Sequence, residues 1–282
     1  LGVSIPLSGE AGATYGTDMR NFFLFANEKL TGGRYELIFE DDKCSGKEAV
    51  TAAQKFIHID RVSAVIGFAC SGATLSAAPL YEKSKVFTLV TFASSPKIAE
   101  AGDYIFRTFP SDWDAARLLY EYSLAHYTKI AVLSELGDYA QDLRNSLVEW
   151  NKDARLEIIT EDYVPQTTDF RTLLLKLKSQ SPQAIFINSQ TEAGFAVILK
   201  QLKALQPGLP VLGAYWPGSA SLQQPAGNDL EGVVYVETPS LAEILTPEGN
   251  TLYQEYLKGF GPIRSTEALF ATSFEGLRAL DQ

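Results

Sequence analysis

Short, unbroken apolar runs alternate with longer stretches of helical period along almost the whole chain. In the first part the runs fall at residues 1–7, 35–40, 62–68 and 86–91, with a β-rich passage at 104–109. Runs this short and continuous fit parallel strands covered on both faces, because a strand with one wet face would alternate apolar and polar residues. Between them, residues 17–30, 47–57 and 73–83 read as helices. Phe22, Phe23, Leu24, Phe25 and Ala26 give the first an apolar face, and Gly32-Gly33 stops it. Ala49, Val50, Ala53, Phe56 and Ile57 line one side of the second. The Gly-rich stretch 8–16 reads as a turn, either an ordinary flexible one or one that offers backbone amides to an anion at the next helix start.

The rhythm restarts after Pro110-Ser111-Asp112-Trp113. Helices are predicted at 114–126, 139–150, 170–178 and 192–205, and strands at 129–134, 156–161, 183–188, 211–213 and 232–237. Alternation of this kind builds doubly wound sheets, so the chain is expected to form two Rossmann-like α/β lobes. The tail is helical at 247–260 and 266–280 and has no strand series of its own, so it must pack on an existing lobe. Its return to the first lobe gives domains of 1–111 plus 240–282 and of 112–239, with crossings that make a hinge. Open α/β sheets bind ligands beyond the carboxyl ends of their strands, and two such lobes face to face would line a cleft there.

Composition narrows the class. A chain of 282 residues with 46% hydrophobic and 11% aromatic content can build packed cores, and its length favours two of them. The net charge of −10 without a Lys/Arg cluster argues against a nucleic-acid partner. No apolar stretch is long enough to span a bilayer. The chain opens directly on a strand, so any signal peptide is expected to have been removed.

Cys44 and Cys70 each stand where a strand-like run gives way to a loop, on what would be one edge of one sheet. Thiols so placed could reach disulfide distance without moving the backbone, and such a bond implies an oxidising compartment. The alternative is two buried, unpaired thiols acting as small hydrophobes. Cys70-Ser71-Gly72-Ala73-Thr74 opens a helix with free amides and a hydroxyl, which suits a carboxylate, although Ser71 could equally be a plain N-cap. Thr91-Phe92-Ala93-Ser94-Ser95-Pro96 offers further hydroxyls, with carbonyls that could accept from an ammonium. Asp41-Asp42 reads as a solvated loop.

Enzyme chemistry finds little support. No phosphate-binding loop or dinucleotide fingerprint occurs, so no nucleotide cofactor is expected. His58 and His126 lie far apart and away from the strand ends. Neither a metal site nor a base for a serine nucleophile can be assembled from them.

The chain resembles the periplasmic solute-binding proteins of branched-chain amino-acid ABC transporters, the leucine/isoleucine/valine-binding family. The resemblance rests on Ser8-Gly9…Tyr15-Gly16, Asp41-Asp42-Lys43-Cys44, Val65-Ile66-Gly67-Phe68-Ala69-Cys70-Ser71, Thr91 to Pro96, Phe106-Arg107-Thr108 and Asp229-Leu230-Glu231-Gly232, in that order. It implies a type I clamshell that closes on a small molecule and delivers it to a membrane permease, acting as a monomer on the periplasmic or extracellular side; a lipid anchor is compatible with that placement. It pairs Cys44 with Cys70 and assigns Ser71 and Ser95 to a ligand carboxylate. It also assigns the Ala93 carbonyl to a ligand ammonium, Tyr139 to the second lobe's ligand face and Tyr15 to the cleft wall.

The chain departs from the family in two places. Amino-acid binders often carry a glutamate after the strand at 211–213, where this chain has Tyr215 followed by Trp216. A bare ammonium in a dry cleft costs several kcal/mol. Either Asp112 or Glu192 supplies the counter-charge, or the ligand has no ammonium and the aromatics face a compact or aromatic acid; the alternative for Tyr215 and Trp216 is packing in the lobe core. Gln190 is a further neutral contact. Longer family members also continue past the last helix, which leaves a third crossing missing or trimmed here. The expected function is capture of an amino acid or related organic acid for transport. The alternative is a ligand-sensing domain of a receptor or regulator using the same fold.

Overall fold

Val3, Ile5, Val65, Ile66, Leu89 and Val90 are buried almost completely, and they form the middle of a five-stranded parallel sheet. The computed structural model describes the backbone of residues 1–282 and every side chain except those of Glu10 and Thr14. The chain divides into two compact units, Leu1–Pro110 with Thr238–Gln282, and Ser111–Glu237.

The first unit runs β1 (Gly2–Ile5), α1 (Gly9–Ala11), α2 (Thr17–Thr31), β2 (Ile38–Asp41), α3 (Gly46–Lys55), β3 (Ala64–Gly67), α4 (Ser71–Ser84), β4 (Phe87–Val90) and β5 (Ile105–Arg107). The second runs α5 (Asp112–His126), β6 (Lys129–Glu135), α6 (Asp138–Trp150), β7 (Glu157–Tyr163), α7 (Arg171–Ser179), β8 (Ala184–Asn188), α8 (Glu192–Leu205), β9 (Val211–Ala214), α9 (Ala220–Ala226) and β10 (Val234–Val236). The chain then returns to the first unit as α10 (Leu241–Ile244), α11 (Pro247–Phe260) and α12 (Glu267–Asp281).

Strand order is β2-β1-β3-β4-β5 in one sheet and β10-β9-β8-β6-β7 in the other, with every pairing parallel. Renumbered within its own unit, the second sheet has the same order as the first. The expected doubly wound α/β architecture therefore forms, and in each sheet the order reverses at one point, between β1 and β3 and between β6 and β8. Crevices at such switch points are where this class of sheet takes ligands. Register follows burial: Val3 lies opposite Ile66, and Val132 opposite Phe186.

The returning tail is fixed by aromatic packing and by one carboxylate. Phe22 and Phe25 of α2 meet Tyr256 of α11 and Phe270 of α12 at centroid distances of 5.1 to 6.5 Å. Asp18 is buried and accepts from the Arg264 and Ser265 amides and the Ser265 hydroxyl at 2.7 to 2.9 Å, so it anchors the segment leading into α12.

One expectation is corrected here. Residues 8–16 are not a plain turn: α1 leads into a π-helical turn, Gly12–Gly16, that runs on into α2. Gly16 has ordinary right-handed helical angles, and a Cβ on it would lie 2.0 Å from the Pro6 carbonyl oxygen. The glycine therefore permits close packing of helix on strand, whereas sequence reading took it as a mark of chain reversal.

Candidate functional site

At the switch point of the first unit, β3 ends in an abrupt change of direction. Gly67 has φ +125° and a Cβ there would lie 2.4 Å from the Ser4 carbonyl oxygen, while Phe68 follows at φ +65°. The Phe68 amide donates to the Ser4 carbonyl at 2.7 Å, and this turn aims Cys70 as the N-cap of α4. Cys70 is bonded to Cys44 with a Cα–Cα separation of 5.3 Å. The disulfide thus ties the loop after β2, where Lys43 and Cys44 are both left-handed, to the start of α4. Cys70 offers no side-chain acceptor to the first turn of the helix, which leaves orphan amide donors facing whatever lies beyond it.

Ser71 is therefore the first residue of α4 and not its cap. It is buried, and its hydroxyl accepts from the Ser95 amide at 3.2 Å. Among the described residues that hydroxyl donates to no partner. Ser95 is fully buried and caps the short 3-10 helix Pro96–Glu100 by accepting from the Lys97 amide. Ala93 is buried between them, its amide bonded to the Phe68 carbonyl at 3.0 Å. Arg107, at the end of β5, donates from one terminal nitrogen to the Ser94 and Ser95 carbonyls at 3.2 and 2.6 Å. Tyr15, in the π-helical turn, lies 6.0 Å from the Phe92 ring, and Phe92 packs edge-on against Phe109 at 4.8 Å. Ser71, Ala93, Ser95 and Tyr15 thus gather on one end of one sheet.

Beneath this loop the expectation of a solvated Asp41-Asp42 pair is overturned. Asp42 is fully buried and accepts from the Cys44 amide at 3.0 Å and from the Ser4 hydroxyl at 3.1 Å. Burial raises its pKa to about 6; the two bonds pull the other way, and the Asp41 charge adds to the rise. Burial also raises Asp41, but the Ser8 hydroxyl and the Leu7, Lys43 and Ser8 amides outweigh it and hold that carboxyl below its usual range. The Tyr81 hydroxyl is buried and makes no hydrogen bond among the described residues. Its pKa is raised by burial and then by the Asp42 charge, so it stays a neutral phenol.

In the second unit the corresponding strand ends carry a largely aromatic cluster. Tyr139 opens α6 and packs on Trp216 at 6.2 Å, and the Trp216 indole donates to the Ser189 carbonyl at 2.7 Å. Tyr215 follows β9 with φ +58° and ψ −53°, a region that non-glycine residues rarely occupy. Its amide is held by the Val236 carbonyl at 2.8 Å, and its hydroxyl donates to the fully buried Asp112 at 3.1 Å. Burial and then the Asp112 charge push the Tyr215 phenol well above its ordinary pKa, so it remains a proton donor. Gln190 is half-buried with its amide on the Glu135 carboxylate at 3.0 Å, and Glu192 is buried in the first turn of α8. Tyr139, Tyr215, Asp112 and Gln190 therefore all lie in this unit.

Sequence reading missed Arg107, Phe92, Phe109 and the burial of Asp42. The available signal was an aromatic or basic residue at a strand end beside a hydroxyl-rich loop. Among the described residues no cluster of His, Cys, Asp and Glu could hold a metal ion, and no helix is long and apolar enough to cross a membrane.

A family model described as periplasmic binding protein matches residues 1–275. The leucine-, isoleucine-, valine-, threonine- and alanine-binding protein of Pseudomonas aeruginosa is 28% identical over 240 residues, 81% of this chain. The chain spans only 63% of that relative's length. Among solved structures, a leucine-binding protein from Thermotoga maritima matches with a TM-score of 0.89 at 22% identity, over 99% of this chain and 80% of that one. An ABC-transporter solute-binding protein from Rhodopseudomonas palustris, in complex with 3,4-dihydroxybenzoic acid, matches with a TM-score of 0.81 at 23% identity, over 99% and 78%. At these identities the structural likeness speaks to the fold.

Proposed function

The chain belongs to the periplasmic binding protein family, and on that premise we propose that it captures a small carboxylate-bearing solute outside the cytoplasm for an ABC transporter. The observation that carries the proposal is the start of α4. Uncapped first-turn amides stand there beside the buried Ser71 hydroxyl, which already accepts from Ser95 and has its own proton to give. Charge-assisted bonds of this kind to a carboxylate are the strong ones.

The rest of the ligand is an amino acid or a related organic acid. The Pseudomonas relative is named for leucine, isoleucine, valine, threonine and alanine, and the Rhodopseudomonas structure holds 3,4-dihydroxybenzoic acid; the two ligand types share a carboxylate. In this reading Tyr15 and Ala93 complete the contribution of the first unit. Tyr139, Tyr215, Asp112 and Gln190 are the contacts proposed in the second. Asp112 is the counter-charge for an ammonium, and a permease receives the loaded protein.

A thermal-shift screen over amino acids, keto acids and aromatic acids tests the proposal, because a ligand that binds only the folded state raises its melting temperature. For the acid that gives the largest shift, Ser71→Ala and Ser95→Ala should each cost about 1.5–3 kcal/mol of binding, with circular dichroism unchanged. Undiminished binding in both variants would mean that the carboxylate is held elsewhere.

A further inference from the structure

We propose that Arg107 is a positioning residue that strengthens Ser71 as an anion donor, acting through the peptide between Ser94 and Ser95; this rests on the reading of Ser71 given above. The guanidinium donates to the Ser94 carbonyl at 3.2 Å, and the amide of that same peptide unit donates to the Ser71 hydroxyl oxygen at 3.2 Å. The planar peptide couples its two ends. A cation on the carbonyl oxygen draws electron density from the nitrogen and makes the N–H a stronger donor. A hydroxyl that accepts from a stronger donor in turn gives its own proton more readily, so the bonds in such a chain reinforce one another. The chain is Arg107, Ser94–Ser95 peptide, Ser71 hydroxyl, ligand oxygen.

The second carbonyl bonded by Arg107 has a different role. Ser95 O lies 2.6 Å from the guanidinium, but its peptide leads into Pro96, which has no N–H. That bond relays nothing and serves as an anchor, holding the loop so that the Ser95 amide points at Ser71. The guanidinium stays charged throughout the physiological pH range, so the effect is permanent and not switched. Arg107 touches neither Ser71 nor the uncapped amides of α4 through any of these bonds. Its influence on the anion is carried by the peptide.

The test uses the whole chain, with Arg107→Met and Arg107→Lys. The first readout needs no ligand: the Ser95 amide proton is followed by ¹H–¹⁵N NMR, with the Ala93 amide, bonded to the Phe68 carbonyl in the same loop, as an internal control. The proposal expects the Ser95 resonance to move upfield in Arg107→Met, to move less in Arg107→Lys, and the Ala93 resonance to hold its place. An unmoved Ser95 resonance, or equal movement of both amides, overturns it, the second because it reports loss of the loop instead. The second readout is calorimetric titration with L-leucine and with 3,4-dihydroxybenzoate. For a probe that binds, Arg107→Met should weaken affinity roughly tenfold, the scale of one charge-assisted bond. In a Ser71→Ala background it should weaken affinity less than about twofold, since coupled residues are non-additive. Equal losses in both backgrounds overturn the relay. If neither probe binds the unaltered protein, the amide readout alone decides the relay, and the failure lies with the choice of these two ligands and not with the relay.

Discussion

Asp42 lies under the disulfide-closed loop with its carboxyl raised to about 6, mainly by burial, against 3.8 for an ordinary aspartate. Between those values the folded protein holds a proton that the unfolded chain has released. Its stability contribution therefore declines as pH rises from about 4 to about 6, and the loss is complete above that window. The difference is on the order of 3 kcal/mol. Asn at this position can accept from the Cys44 amide and donate to the Ser4 hydroxyl, so it keeps both bonds without the charge. Urea unfolding of Asp42→Asn and of the unaltered protein at several pH values should show the variant gaining on the parent as pH rises from 4 to 6. A constant difference across that range would show that Asp42 does not titrate there. The sequence left this residue among solvated loops, because two adjacent carboxylates look alike until the backbone turns one inward. For Ser71 and Ser95 only the position was legible: a hydroxyl after an apolar run is expected at a helix start, and there both stand.

Among the elements, the end of β3 and the loop after β2 carry left-handed backbone on either side of the disulfide, at Gly67 and Phe68 and at Lys43 and Cys44. Gly67 combines positive φ with contact against the Ser4 carbonyl, and no side chain fits both conditions. Gly67→Ala should destabilise the protein by roughly 3 kcal/mol or more, read by thermal or urea melting; a loss under about 1 kcal/mol would mean that β1 yields easily. The Cys44–Cys70 bond closes a loop with a sequence separation of 26, for which chain entropy gives about 3.5 kcal/mol. The double substitution to serine should lower stability by that order. It should also weaken binding of the acid found in the screen, because the bond holds the start of α4; stability lost without any loss of binding would separate the disulfide from the site. The strands and the longer helices were readable from the apolar pattern, whereas α1, α9, α10 and the π-helical turn at Gly12–Gly16 were not. Its glycines serve contact with the backbone after β1, Gly16 with Pro6 and Gly12 with Leu7, neighbours that local spacing cannot reveal.

At the scale of the whole molecule, two units repeat one strand order, and each carries candidate residues after the carboxyl ends of its strands, with Asp112 joined to them from the start of α5 through Tyr215. The repeat was visible as a rhythm that restarted after Trp113. The strand order was not, since parallel pairing joins residues far apart in sequence and any order satisfies the same apolar pattern. For the same reason Arg107 went unassigned: its partners, Ser94 and Ser95, belong to the loop of a neighbouring strand. An anion held at the start of α4 is open to a single titration. The acid selected in the screen is compared by calorimetry with its own primary amide, which keeps the shape and removes the charge. The account predicts that the acid binds at least roughly a hundredfold more tightly, the combined effect of about two charge-assisted hydrogen bonds. Equal affinity of acid and amide would contradict it.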